Sequence, residues 1–173
     1  MVDLLLVNPL FLAQDPVERR LMTPYFPLGL LYLAAAARAA GYTVSIFDGM
    51  FHRDEQAFAG ALEREHPRVV GISVLATVRA AALRLAEQAH RYGAVVVAGG
   101  ADPTGRPESY LGHDIDGEHP IDVVVVGEGE QTLLTLLPRI LDDEPRGEAL
   151  AGIDGLAFLD PDGQVVSTAP RQH

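Results

Sequence analysis

The chain is poorest in the residues that would make it a metal, nucleic-acid or membrane protein. Among 173 residues there is no cysteine. No disulfide can form, and no thiolate metal or iron–sulfur site can be built from this chain alone. Lysine and arginine number 13 against 24 aspartates and glutamates, a net charge of −11. Phosphate backbones need a basic stripe, so this balance excludes nucleic acid as a partner and disfavours an anionic membrane surface. The opening "MVDLLLVNPL" is far too short to span a membrane and lacks the basic start of a signal peptide. It reads as a first strand, with no membrane partner and the cytoplasm as the expected compartment.

Chemistry-bearing motifs are equally scarce. No G-x-G-x-x-G follows the first strand and no G-x-x-x-x-G-K-S/T occurs, so neither standard phosphate cradle is present. The six histidines show no H-x-x-x-H or H-E-x-x-H spacing, and the residue order offers no Ser-His-Asp arrangement. His113, Asp114 and Asp116 lie in a polar segment that reads as a solvated loop more readily than an ion site. Neither a catalytic residue nor a protein-ligated metal is expected.

What is present alternates. Continuous apolar runs at 2–7, 42–47, 68–73, 94–99 and 122–127 have the length and two-sided hydrophobicity of buried parallel strands. Helical stretches at 28–40, 54–66, 77–93 and 130–141 separate them, the last with Pro138 as a possible kink. The helix at 28–40 follows Pro27, stops at Gly41 and is apolar nearly all round, which predicts deep burial. Strand–helix repetition predicts an α/β, doubly wound (Rossmann- or flavodoxin-like) five-stranded parallel sheet of order 2-1-3-4-5. Residues 101–121, with three prolines and three glycines, predict an irregular connection with a short turn of helix at 107–111. Two short strand-like runs around Asp160-Pro161-Asp162-Gly163 predict a C-terminal β-hairpin.

Ligands of such sheets bind beyond the carboxyl ends of the strands. Two connections there are long: Asn8 to Pro27, where about 2–6 residues are usual, and 100–121. A single large ligand explains both. Ser73 and Thr77 sit in the turn after the third strand, where either caps the next helix or meets a ligand. Gly99-Gly100 ends the fourth strand, as a tight turn or as a surface over which a planar group slides. After the fifth strand comes Gly127-Glu128-Gly129-Glu130. Glu130 has a sufficient structural role at a helix start. Glu128 is placed to accept hydrogen bonds from the amides or hydroxyls of a neutral polar ligand.

Taken in order, Asn8-Pro9, "PLGLLYLAAAAR" (27–38), Asp48, "VGISVLAT" (70–77), "GGADPTGRPE" (99–108) and "VVVGEGEQTL" (124–133) make a specific set. It resembles the cobalamin-binding domain that precedes the catalytic barrel in cobalamin-dependent radical S-adenosylmethionine enzymes. The resemblance implies cobalamin as cofactor, its nucleotide tail beside the sheet and its cobalt-bearing corrin over the carboxyl edge. It implies that Asn8, Pro9 and Leu10 lie near the corrin, with Asp48 after the second strand as a further contact. Ser73, Val74 and Leu75 would face the tail base, and Thr77 in the same turn would be a further cofactor contact. Gly99, Gly100 and Ala101 would follow the tail, and Gly127, Glu128 and Gly129 would meet tail or corrin amides. On this placement, Gly100→Leu would block the tail channel and spare the fold.

The resemblance further implies that residues 1–150 form the cofactor domain. Residues 151–173 would form the hairpin and the start of a linker toward a radical S-adenosylmethionine domain, in cis or in trans. That domain would hold a 4Fe-4S cluster and S-adenosylmethionine, in a parent enzyme of methyltransferase or cyclase type. Two departures stand out: D-x-H-x-x-G is absent, and Ala101-Asp102 replaces a pair that often ends in histidine. No C-x-x-x-C-x-x-C or barrel is present either. The alternative is a stand-alone docking or sensory module of the same fold that has lost cobalamin.

Overall fold

A computed structural model describes residues 1–13, 20, 26–142 and 148–171. The five apolar runs become β1 (Leu4–Asn8), β2 (Val44–Asp48), β3 (Val69–Ser73), β4 (Val95–Gly99) and β5 (Val123–Val125). All pair in parallel, in the order β2-β1-β3-β4-β5. Between them run α1 (Leu28–Ala39), α2 (Gln56–Glu65), α3 (Arg79–Tyr92), α4 (Ala101–Gly105) and α5 (Glu108–Leu111), and after β5 come α6 (Glu130–Asp142) and α7 (Glu148–Ala151).

Strand alternation sorts the core into two layers. Leu5, Val7, Val70, Val96 and Val124 point to one face, where Phe58 and Leu62 of α2 and Leu85 and Ala89 of α3 cover them. Leu4, Leu6, Val69, Val97 and Val123 point to the other, where Leu30 and Ala34 of α1 and Leu133 and Leu137 of α6 pack. Each fully buried leucine or valine contributes about 1.5–3 kcal/mol of transfer free energy, which is why both faces of the sheet must be covered. Helix α6 continues through Pro138, which has no N–H for the Leu134 carbonyl.

Three expectations change. First, the hairpin joins the sheet. Strand β6 (Leu156–Leu159) runs antiparallel to β5, with Val124 opposite Ala157, and β7 (Val165–Ser167) pairs with β6. The sheet therefore has seven strands. The pairing covers the edge of β5, whose backbone would otherwise be open. At the hairpin tip, Asp160 Oδ1 accepts from the amides of Asp162 (2.9 Å) and Gln164 (2.8 Å).

Second, α1 is not buried all round. Leu30, Ala34 and Ala37 face inward, while Leu28 and Tyr32 are 63% and 66% exposed. An outer-layer helix has one sheet to lie on, and nothing in the described chain covers its far side. Third, residues 101–121 hold two short helices, α4 and α5. The extra one, α4, starts on the Gly100 carbonyl, which accepts the Thr104 amide at 3.1 Å.

Candidate functional site

On the α1/α6 face, small residues replace side chains at the carboxyl ends of the central strands. Gly71 sits between Val69 and Ser73 in β3, and Gly99 ends β4. A Cβ at Gly71 would come within 3.0 Å of Leu6 Cδ2, and one at Gly99 would lie 3.7 Å from Val125 Cβ. Gly29 in the first turn of α1 faces open space, with nothing within 4 Å of its missing Cβ. The result is a slot of about 320 Å³ between α1, α6 and the sheet. Leu30, Leu33, Val97, Val125 and Leu133 wall it, and Ser73, Glu128 and Glu130 carry its polar groups.

A second cavity of about 420 Å³ lies over the strand ends, lined by Asn8, Leu10, Leu28, Leu75 and Thr77 among others. Gly29, Leu30 and Ser73 line both cavities. An apolar slot thus adjoins a larger groove at the sheet's carboxyl edge, where doubly wound folds bind ligands.

The rim between β3 and β4 is stitched through backbone. Val74 N–H donates to Gly99 O at 2.7 Å, and Asp102 N–H donates to Val74 O at 3.2 Å. Gly100 has φ +105°, and a Cβ there would lie 2.7 Å from Val74 O and 2.9 Å from Val74 N. Only glycine suits that position. Below the rim, the buried Asp102 carboxylate accepts from the Tyr110 hydroxyl and faces Arg106 (3.4 Å) and Arg79 (3.9 Å). The Arg79 guanidinium also lies 5.0 Å from the centre of the Tyr110 ring. Burial, and then the Asp102 carboxylate, push the Tyr110 phenol well above its ordinary pKa, so it remains a donor. On the opposite rim, Gly127 at φ +85° donates its N–H to Thr104 Oγ1 at 3.0 Å.

Six of the residues singled out from sequence line the slot: Ser73, Gly99, Gly100, Gly127, Glu128 and Gly129. Asn8, Leu10, Leu75 and Thr77 join Ser73 in the groove. Neither Ser73 nor Thr77 caps a helix: α3 begins at a Val78 cap with no side-chain hydrogen bond, as does the 3-10 turn at Ala76–Val78 after Leu75.

Four others line neither cavity. Pro9 and Val74 are buried, Ala101 is exposed, and Asp48 serves the scaffold. Its Oδ1 accepts from Asn8 Nδ2 at 2.9 Å and from the Met50 amide at 3.1 Å, tying β1 to β2 and capping the 3-10 turn Gly49–Phe51. The sequence reading missed Gly29, Gly71 and the apolar walls. A glycine interrupting an otherwise branched strand was the available signal for Gly71. His113 bonds Glu87 at 3.0 Å, and among the described residues no cluster of three or more His, Asp or Glu is placed to hold a metal ion.

A family model described as "B12 binding domain" matches residues 19–137. The chain belongs to that family. Its sequence is 31% identical, over 148 residues, to an anaerobic magnesium-protoporphyrin IX monomethyl ester cyclase from Rubrivivax gelatinosus, covering 82% of this chain and 25% of the relative. The B12-binding domain is also similar to TsrM from Kitasatospora setae, a radical S-adenosylmethionine methyltransferase solved with cobalamin and a 4Fe-4S cluster bound. The TM-score is 0.72 at 26% identity, over 99% of this chain and 30% of that one. The fold recurs in the cobalamin-dependent S-adenosylmethionine radical enzyme OxsB with aqua-cobalamin bound, at TM-score 0.76 and 19% identity, over 100% of this chain and 23% of that one. The chain spans about a quarter of the length of the curated relative. Among the described residues no helix is long and apolar enough to cross a membrane.

The residues present fit the cofactor this family is named for. The slot is a cradle that side chains at Gly29, Gly71 or Gly99 would fill, and its walls are apolar. The groove beside it is larger than the slot and edged by Asn8 and Thr77, whose side chains pair with amides and hydroxyls.

Proposed function

We propose that this B12-binding domain holds cobalamin with the nucleotide tail in the α1/α6 slot and the corrin over the groove at the strand ends. The observation that carries this is the open glycine-lined slot joined to that groove. Gly29, Gly71 and Gly99 leave room for the flat base, Leu30 and Leu133 sandwich it, and Ser73 stands at the mouth. Asn8, Leu10, Leu75 and Thr77 support the macrocycle. Glu128 and Glu130 meet neutral amides there, which suit carboxylates better than a polyphosphate would. The bound cobalt supplies methyl-transfer or radical chemistry; the chain supplies binding and orientation. A docking or sensory module that has lost cobalamin is the weaker reading, because the slot is open.

The domain works, on this reading, with a radical S-adenosylmethionine catalytic domain, joined in cis or supplied in trans, in an enzyme of methyltransferase or cyclase type. Support comes from the relatives, which are three to four times longer. It comes also from the outer face of α1, where Leu28, Leu31 and Tyr32 are exposed beside the groove. The hairpin of β6 and β7 supplies the sixth and seventh strands, and Arg171 Nε beyond it donates to the buried Thr132 Oγ1 in α6 at 2.8 Å.

Reconstitution tests the binding. The chain is mixed with hydroxocobalamin, desalted, and read by visible absorption. Retention of about one equivalent is expected; colourless protein would favour the module without cofactor.

A further inference from the structure

The polar groups of the slot are all at its mouth. Ser73 ends β3, Glu128 follows β5, and Glu130 opens α6. Deeper in, the walls are Leu6, Leu30, Leu33, Val97, Val125 and Leu133, with Gly71 on the floor. The floor's backbone is committed to the ladder, where Gly71 pairs with Leu6 on one side and Val97 on the other. A group entering the depth of the slot therefore finds hydrocarbon and little that accepts a hydrogen bond.

We infer that the slot selects a corrinoid whose tail base is an apolar bicycle of the dimethylbenzimidazole kind over one carrying a purine. This deepens the cobalamin reading and rests on it. The base is tethered at its five-membered ring, so its six-membered ring goes deepest. On dimethylbenzimidazole that edge carries two methyl groups, which gain from apolar burial. On adenine it carries ring nitrogens and an exocyclic amine. Those groups leave water for a wall of leucine and valine side chains, and an unsatisfied buried donor is penalised rather than merely unrewarded. The carboxylates of Glu128 and Glu130, which would welcome an amine, lie at the wrong end.

The experiment titrates the full chain with three compounds: hydroxocobalamin, the analogue with adenine as tail base, and cobinamide, which has no base. Visible absorption gives the affinities. Cobalamin is expected to bind about tenfold or more tightly than the adenine analogue, and more tightly than cobinamide. In Gly29→Leu, whose side chain enters the slot, the three affinities should converge. Equal binding of the cobalamin and adenine forms, both tighter than cobinamide, would overturn the selectivity while leaving the tail in the slot. A preference that persists in Gly29→Leu would also overturn it, by locating the discrimination elsewhere. Equal binding of all three would remove the tail from the slot, and no binding of any would end the cofactor reading itself.

Discussion

The α-carbon of Gly100 rests against the backbone of Val74, so closely that a Cβ would sit 2.7 Å from the Val74 carbonyl oxygen. This contact joins the loops after β3 and β4, and it changes what a bulky residue at Gly100 would do. Gly100→Leu adds a side chain where φ is +105° and the space is already taken by backbone. The chain is expected to lose stability by several kcal/mol, about 1–3 of them from the backbone conformation alone. Thermal melts should show a large drop in Tm, so this variant reports on the rim's architecture and does not isolate the channel.

Gly29→Leu is the cleaner block. Its backbone is helical, nothing lies within 4 Å of the new Cβ, and leucine is the better helix former by somewhat less than the ~0.8–1 kcal/mol that separates glycine from alanine. Cobalamin affinity should fall by about tenfold or more, with Tm equal to or above that of the parent. Titration and a thermal melt on the same sample check both halves.

Tyr110→Phe probes the network under the rim. At neutral pH the variant leaves Asp102 without its hydroxyl donor, at a cost of about 1–3 kcal/mol. At alkaline pH that advantage shrinks. The folded chain holds the phenol's proton above the ordinary value of 10.0, so the folded state binds the proton more tightly than the unfolded one. That stabilisation is complete below about pH 10 and declines as pH rises beyond it. Denaturant unfolding between pH 7 and 11 should show the parent's advantage over Tyr110→Phe shrinking from pH 10 upward.

Thr104→Val removes the acceptor for the Gly127 amide and keeps the side-chain volume. Stability should fall by about 1 kcal/mol, and bound cobalamin should dissociate faster because the Gly127–Gly129 loop is released. Stopped-flow chase with a competing apo-protein measures the second effect.

Much of this was legible in the sequence because the parallel sheet writes itself plainly. Five runs such as "RVVGIS" and "DVVVVG" have no polar face, and only strands covered on both sides can be so apolar. The hairpin's place in the sheet was not legible, since Leu156–Leu159 carries its own turn signal and no mark of its partner across the chain. Helix α1 misled for a related reason. Its composition states how apolar it is, while its burial depends on what stands beyond it. In the site, the glycines at the strand ends were found because backbone freedom shows in the residue type. The walls were missed because Leu33 or Val125 looks like any core residue until the neighbouring space proves empty. Asp48 was read as a ligand contact; in the structure its Oδ1 accepts from Asn8 and the Met50 amide, and the residue lines neither cavity.

The most direct measurement is the electron paramagnetic resonance spectrum of the chain loaded with cob(II)alamin. If the tail base lies between α1 and α6, it cannot also ligate cobalt, and the cobalt lines should lack the splitting that an axial nitrogen of the tail imposes. A nitrogen triplet, with the free cofactor's own base still on the metal, would contradict the assignment of the slot.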